Sequence, residues 1–424
     1  MKNKTLISML FIFLVLTTAF AQIDTLRLDV DLAVELALKN NNAVQLAKAK
    51  LQEAAAGKGA AFGSFLPQIS ASGTYYRMTP NKFGDIELGS ADNYTLRGTA
   101  QQTLLTWGKL INAYRIAGLS FNIEQEAFRQ AQAQTKVQAT EGFYGALLAQ
   151  KMAELMRESY GQLKRHVDQV QALYDNGLAR KLDLMRAKVG LTNMQVQLSQ
   201  IENGSKLALA SLLTTLGLKP ETPIALSGDL EFSPWSVDYR QALDLAWAKR
   251  PELLQLRKTA QIADLATRIA LTSNLPTAFA QFNYDYKNPL GFKDTWGSDW
   301  NLTVGLTMPI FTGLTNWHKL KQAKAQQRQA RIGVAMLEDG VRLEVQALVN
   351  TLNQEIENIK NQKENVDVAE EALKIAETSY KNGLITNLEY LDTQLALLQS
   401  RVSYLNSLAN YKIAKARLLK AMGE

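Results

Sequence analysis

Tyr380-Lys381-Asn382-Gly383-Leu384 repeats Tyr174-Asp175-Asn176-Gly177-Leu178, which lies 206 residues earlier. Each copy sits between two long segments patterned in sevens. Glycine accepts the left-handed backbone that closes a helix. Each copy is therefore expected to be the turn at the tip of a helical hairpin.

Stepping back from the second turn by sevens gives Tyr380, Leu373, Val366, Ile359, Leu352 and Val345. The first turn gives Tyr174, Val167, Tyr160, Ala153, Ala146 and Ala139. A strict seven-residue period winds helices into a left-handed supercoil. No proline interrupts the chain between Pro80 and Pro220 or after Pro309. Helices are expected over about 107–174 and 314–380, each about 100 Å long at about 1.5 Å per residue. Past each turn a shorter helix returns, over about 182–216 and 387–421. Leu388, Leu391, Leu395, Leu398, Val402 and Leu405 predict its apolar seam.

Upstream of each long helix the period changes to two. Ile69, Ala71, Gly73 and Tyr75 alternate with Gln68, Ser70, Ser72 and Thr74. Tyr94, Leu96, Gly98, Ala100 and Leu104 alternate with Thr95, Arg97, Thr99, Gln101 and Thr103. In the second half Phe282, Tyr284 and Tyr286 face one way, as do Trp300, Leu302, Val304, Leu306 and Met308. Strands are predicted at about 68–78, 94–105, 277–286 and 300–311. An apolar face with Tyr75, Tyr94, Tyr284, Tyr286 and Trp300 at its end fits a strand crossing a membrane, with aromatics at the interface. A half-buried soluble sheet would show the same alternation.

The two halves are a duplication. Leu66-Pro67 matches Leu275-Pro276 at an offset of 209, and Leu104-Leu105-Thr106 matches Ile310-Phe311-Thr312 at 206. The expected organisation is a first repeat over 22–216, a crossover linker over 217–237 and a second repeat over 238–424. Each repeat opens with a helix, at about 29–64 and 238–273. The fold class is thus membrane α+β: a duplicated unit of helix, β-hairpin and long helical hairpin.

Residues 1–21 read as an export signal: Lys2 and Lys4, an apolar run from Leu6 to Leu16, and Ala19-Phe20-Ala21. With no cysteine in the chain, neither disulfides nor a lipid-modified cysteine are expected. The net charge of +7 is spread along the chain, which argues against nucleic acid. The only histidines, His166 and His318, fall at non-equivalent places, so a His-based metal or catalytic pair is not expected. No cofactor and no enzymatic activity are predicted. Four strands cannot close a barrel, since single-chain bacterial barrels start at about eight. Two chains would give eight strands and three would give twelve. Eight-stranded barrels are filled by side chains, so a conduit favours three.

Together these features resemble the TolC-like outer-membrane efflux proteins, across essentially the whole chain after the signal. The carriers are Ala33-Val34-Glu35-Leu36-Ala37-Leu38-Lys39-Asn40-Asn41, Ala242-Leu243-Asp244-Leu245-Ala246, Arg250-Pro251-Glu252-Leu253, Pro309-Ile310-Phe311-Thr312-Gly313 and the two turns followed by Leu182-Asp183 or Leu388-Glu389. Asn42 stands where the family usually has proline, and Trp107 where a second glycine is common. The resemblance implies a homotrimer with a twelve-stranded outer-membrane β-barrel, continued by a twelve-helix α-barrel through the periplasm of a Gram-negative bacterium. It implies a passive duct that meets a periplasmic adaptor protein and an inner-membrane transporter. It places Asp183, Glu389 and Asp392 at the periplasmic mouth, with Tyr380 on the hairpin that opens. Rings of carboxylates there would favour cations and resist closure; solvated carboxylates beside Arg180, Lys181, Arg186 or Lys381 are the simpler alternative. Tyr174, Gly177, Leu178, Gly383 and Leu384 are the candidate adaptor contacts. A protein-secretion duct of the same architecture, and a soluble periplasmic coiled-coil scaffold, are the competing readings.

Overall fold

The computed structural model describes residues 26–424 apart from Pro80, Asp85 and Gly89. The expected export signal lies outside the described residues. In chain order the elements are β1 (Leu26–Leu28), α1 (Val30–Asn40), α2 (Asn42–Gly63), β2 (Gln68–Arg77), β3 (Asn81–Phe83), β4 (Ile86–Leu88), β5 (Asp92–Leu105), α3 (Lys109–Asp175) and α4 (Lys181–Thr215). There follow β6 (Ile224–Leu226), α5 (Tyr239–Lys249), α6 (Pro251–Leu271), β7 (Thr277–Asn288), β8 (Gly297–Thr307), α7 (Thr315–Lys381) and α8 (Asn387–Ala421).

The chain divides into two compact units. One takes residues up to Asn41, Lys136–Trp235 and Leu352–Ala416. It is a set of packed helices, and the heptads are its seam. Ala139, Ala146, Ala153 and Val167 on α3, and Leu352, Ile359, Val366 and Leu373 on α7, are buried. The seam expected on α8 is found in part. Leu398 is buried and Leu391 packs beside the buried Tyr390 and Leu397, whereas Leu388 and Leu395 are exposed. The buried stripe also takes in Gln394, Leu408 and Tyr411, including a glutamine and a tyrosine that a count of leucines passes over.

Residues 217–237, read as a linker, contain β6. It pairs in parallel with β1, Leu26 opposite Ile224 and Leu28 opposite Leu226. The segment is fastened to α8: the Tyr411 hydroxyl donates to the Ser233 carbonyl at 2.7 Å, and the Phe232 and Tyr411 rings lie 5.1 Å apart.

The other unit takes Asn42–Thr135, Ser236–Thr351 and Arg417–Glu424. It holds a four-stranded antiparallel sheet of order β2-β5-β7-β8. The central β5–β7 pairing joins the two predicted hairpins, with Leu96 opposite Tyr286 and Ala100 opposite Phe282. A bulge between Thr103 and Leu105 shifts the register, so Leu105, and not Leu104, opposes Ala278. The segment between β2 and β5, read as a loop, adds the short antiparallel pair β3–β4.

The opening helices of both halves are broken, against the single helices predicted over 29–64 and 238–273. Asn41 is extended (ψ 128°), and its side-chain amide donates to the Thr215 carbonyl at 3.0 Å. Arg250 is extended (ψ 120°) because proline follows it, and Pro251 opens α6. Asn42 occupies the same first-turn position in α2 without needing proline's fixed φ.

Gly305 faces Phe279 across β7 and β8, and a Cβ there would lie 2.6 Å from the ring. Gly305→Val is expected to destabilise the sheet by about 1–3 kcal/mol through overpacking. A lowered melting temperature of the detergent-solubilised protein would show it, and an unchanged one would contradict this packing.

Candidate functional site

The two hairpin turns have one geometry. Gly177 (φ 75°) and Gly383 (φ 73°) occupy the left-handed region. The Gly177 N–H donates to Tyr174 O and the Leu178 N–H to Leu173 O; Gly383 and Leu384 do the same to Tyr380 O and Ser379 O. This closure satisfies the last helix carbonyls and projects the next residue outward. Leu178 is 77% exposed and Leu384 76%, large apolar groups at the tips with little around them. Tyr174 sits one turn behind, part-exposed.

The carboxylates expected at the mouth differ in setting. Asp183 is paired with Arg180 at 2.9 Å, its side chain mostly covered. Glu389 belongs to a capping box with Thr386: its carboxylate accepts from the Thr386 N–H at 2.7 Å and from the Thr386 hydroxyl at 2.8 Å. The backbone N–H foremost, then the hydroxyl, hold the Glu389 carboxyl below its ordinary range. Asp392 is exposed and makes no hydrogen bond or ion pair among the described residues.

Behind the turns lies a contact the sequence reading did not name. His166 of α3 is buried, and its Nε2 lies 2.6 Å from Asn387 Oδ1 at the start of α8. The Asn387 amide in turn donates to the Asp183 carbonyl at 3.2 Å. One side chain thus ties both helices of the first hairpin to the second. The imidazole stacks on Tyr390 (4.3 Å between centroids) and approaches Tyr380 (5.2 Å), while the two tyrosines stack at 5.5 Å. Arg165, Glu377 and Lys381 line the same cavity of about 150 Å³. Burial pushes the His166 pKa down, partly offset by the hydrogen bond to Asn387. The Thr386-Glu389 spacing was a readable capping signal, whereas His166 and Asn387 stand 221 residues apart and nothing local links them.

The sheet is a second site, described by itself. One face is a polar ladder. Arg97 grips Asp285 with two bonds, Nε to Oδ1 at 2.7 Å and NH2 to Oδ2 at 2.8 Å. Thr99 donates to Asn283, Asn283 donates to Asn301, and Lys287 pairs with Asp299. Asp285 is only 6% exposed. The opposite face carries Ile69, Leu96, Phe282, Leu302, Val304 and Leu306, all exposed. Tyr75, Tyr94, Trp296 and Tyr286 form a continuous ring chain at its turn end, with centroids 5.0, 5.9 and 5.0 Å apart. Tyr284 and Trp300 face each other beside them. Trp296 was not among the predicted aromatics, because it lies in the turn and outside the alternation.

The sequence model described as "Outer membrane efflux protein" matches residues 33–218 and 242–424. The chain belongs to that family, and the outer membrane is its setting. It is 23% identical over 317 residues to the outer membrane efflux protein BepC of Brucella suis, covering 73% of this chain and 66% of BepC. It is 24% identical over 277 residues to the alkaline protease secretion protein AprF of Pseudomonas aeruginosa, covering 64% of this chain and 55% of AprF. The chain therefore spans about two thirds or less of the length of these relatives. The CmeC outer membrane channel of Campylobacter jejuni shares the fold, with a TM-score of 0.82 at 19% identity, over 93% of this chain and 85% of CmeC.

Two outcomes follow from the tips. Gly383→Ala forces a left-handed alanine and is expected to cost roughly 1 kcal/mol, read as faster amide exchange around 380–388. His166 is depressed in the folded tip, so its neutral form contributes fully above its ordinary pKa of about 6.5. As pH falls below that value, an opened tip takes up a proton that the closed tip resists, and the contact weakens. The protection factors of amides near Asn387, which correct for the intrinsic slowing of exchange in acid, are expected to fall between pH 7.5 and 5, and His166→Gln should flatten that dependence. An equal fall in the variant would remove His166 as the cause.

Proposed function

We propose that the protein is a passive exit duct, a homotrimer whose sheets close a twelve-stranded barrel continued by a helical tunnel. One observation carries this reading: a four-stranded sheet with an exposed apolar face and two edges without a strand partner. Among the described residues β2 and β8 each pair on one side only. In lipid an unpaired backbone group costs several kcal/mol, so the edges must meet other copies. Three copies give twelve strands, and the duplication within each chain supplies the four.

The helices support the same assembly. Exposed apolar residues recur in sevens on helix faces that none of the described residues covers: Leu182, Val189 and Val196 on α4, Leu388 and Leu395 on α8, and Val368 and Ile375 on α7. Stripes of this kind call for helices from other chains.

The repeat boundaries at 22–216, 217–237 and 238–424 are part of this proposal. So is the mouth at Asp183, Tyr380, Glu389 and Asp392, with Leu178 and Leu384, presented by Gly177 and Gly383 beside Tyr174, meeting a periplasmic adaptor. Tyr75, Tyr94, Tyr284, Tyr286 and Trp300 would mark one membrane interface. The adaptor and an inner-membrane transporter supply selection and energy, and the chain itself performs no catalysis. Efflux is the leading reading, in line with the similarity to the outer membrane efflux protein BepC. Protein secretion through the same duct is the second, favoured by the similarity to AprF.

The test is the molar mass of the detergent-extracted protein by light scattering, with detergent subtracted. Three chains in a particle that requires detergent are expected; a soluble monomer or dimer would leave the coiled-coil scaffold in place of the duct. Val189→Glu with Leu395→Glu should lower the trimer fraction severalfold while leaving helix content unchanged. A trimer of undiminished stability would mean that these stripes are not the subunit contact.

A further inference from the structure

All four helices that meet the sheet do so at one end. α2 leads into β2, β5 leads into α3, α6 leads into β7, and β8 leads into α7. The passages through that end contain no carboxylate: residues 54–84, 93–123, 265–284 and 300–337 hold neither Asp nor Glu. The turn end differs, with Asp92, Asp294 and Asp299 among its lysines and arginines.

Cations collect at the carboxylate-free end. Lys319, Lys321 and Lys324 on the first turns of α7 are exposed, as are Lys109 and Arg115 on α3. None of the five forms an ion pair among the described residues. Beyond β8 exposed apolar residues continue along the chain through Met308, Ile310 and Phe311, and Ile310 is 95% exposed. Trp317 lies between the two zones, half-exposed, with the Lys321 ammonium 3.6 Å from its ring centre.

Apolar groups, then an amphipathic aromatic, then uncompensated lysines within about two helical turns form the order of layers at the surface of an anionic bilayer. Apolar side chains suit the acyl boundary, tryptophan the interface, and long cationic side chains the phosphates beyond it. A solvated helix face needs no exposed Ile310 or Phe311 and would be expected to mix both signs of charge.

We propose that this end of the sheet is a binding collar for anionic phospholipid headgroups, with Lys319, Lys321 and Lys324 as its principal contacts and Trp317 as its depth marker. The inference rests on the barrel reading above, because it requires the apolar face to lie in lipid.

The experiment uses the whole protein in vesicles of phosphatidylethanolamine with a minority of phosphatidylglycerol. After gentle extraction, the lipids retained on the particle are measured by native mass spectrometry. Phosphatidylglycerol should be enriched over the vesicle composition. A cation near an anionic surface contributes roughly fivefold, so the triple variant K319Q/K321Q/K324Q should lose most of an enrichment of at least about tenfold. Lys363→Gln, farther along α7, should retain it, and matching circular dichroism spectra would establish that all three proteins fold alike. Insertion into vesicles with no headgroup preference, or a preference that survives the triple variant, overturns the collar and leaves the barrel intact. Loss of enrichment in Lys363→Gln as well would reduce the effect to overall charge and also overturn it. Failure to enter the vesicles overturns both readings.

Discussion

The ladder Arg97–Asp285, Thr99–Asn283–Asn301 and Lys287–Asp299 decides which way the sheet faces. These side chains need partners or water, and they find one another on a single face. The strand period of two then leaves the other face almost wholly apolar. Once that partition is fixed, the exposed Leu302, Val304 and Leu306 require a cover that no described segment of the chain provides. Edge pairing, the aromatic chain at the turn end and the proposed lipid setting all depend on it. Without Arg97, Asp285 would lose both of the hydrogen bonds it accepts from that side chain and keep only the charge of Lys287 beside it.

The tips pose a different problem with the same logic. Two helices must reverse within a few residues without leaving carbonyls unpaired. A left-handed glycine does this in each hairpin, and the return helix of the second opens on the Thr386–Glu389 capping box. The last carbonyls of both outgoing helices are thereby satisfied locally, and Leu178 and Leu384 are left free at the ends. Close to the tips one hairpin is held to the other by a small set of groups, His166, Asn387 and the Asp183 carbonyl, framed by two tyrosines, with Arg401 of α8 meeting Glu158 of α3 farther back. A contact with few members can be released at small cost, which suits a region that must open under the proposed function. The carboxylates have unequal prospects there. Asp183 and Glu389 already have partners within the chain, so Asp392 is the most available for a ring at the mouth.

Periodicity explains what was readable. The heptads of α3 and α7, the dyads of the four strands, the two Gly-turn motifs and the duplication are patterns of residue type at fixed spacing. Such patterns report which face is apolar before any partner is known. The candidate residues Tyr380, Gly177 and Gly383 stand out through the same spacing. The seam of α8 was read only in part: Leu398 is buried, but Leu388 and Leu395 lie outside, while Tyr390 and Gln394 hold buried positions that a count of leucines passes over. The breaks at Asn41 and Arg250 and the bulge at Leu104 passed unseen, since each is a one-residue departure from a regular period.

By itself, the sequence determined the class of element at nearly every point, the turn chemistry of the tips, the apolar and polar faces of the strands, and the family. Local propensity and spacing suffice for those. Only the tertiary structure decided the pairing of β1 with β6, the joining of the two hairpins through β5 and β7, and the meeting of His166 with Asn387. Those contacts connect residues roughly 180–220 positions apart, and a short strand or a single histidine carries no mark of its partner. Their energy comes from burial and hydrogen bonding that exist only once the chain has brought distant segments together.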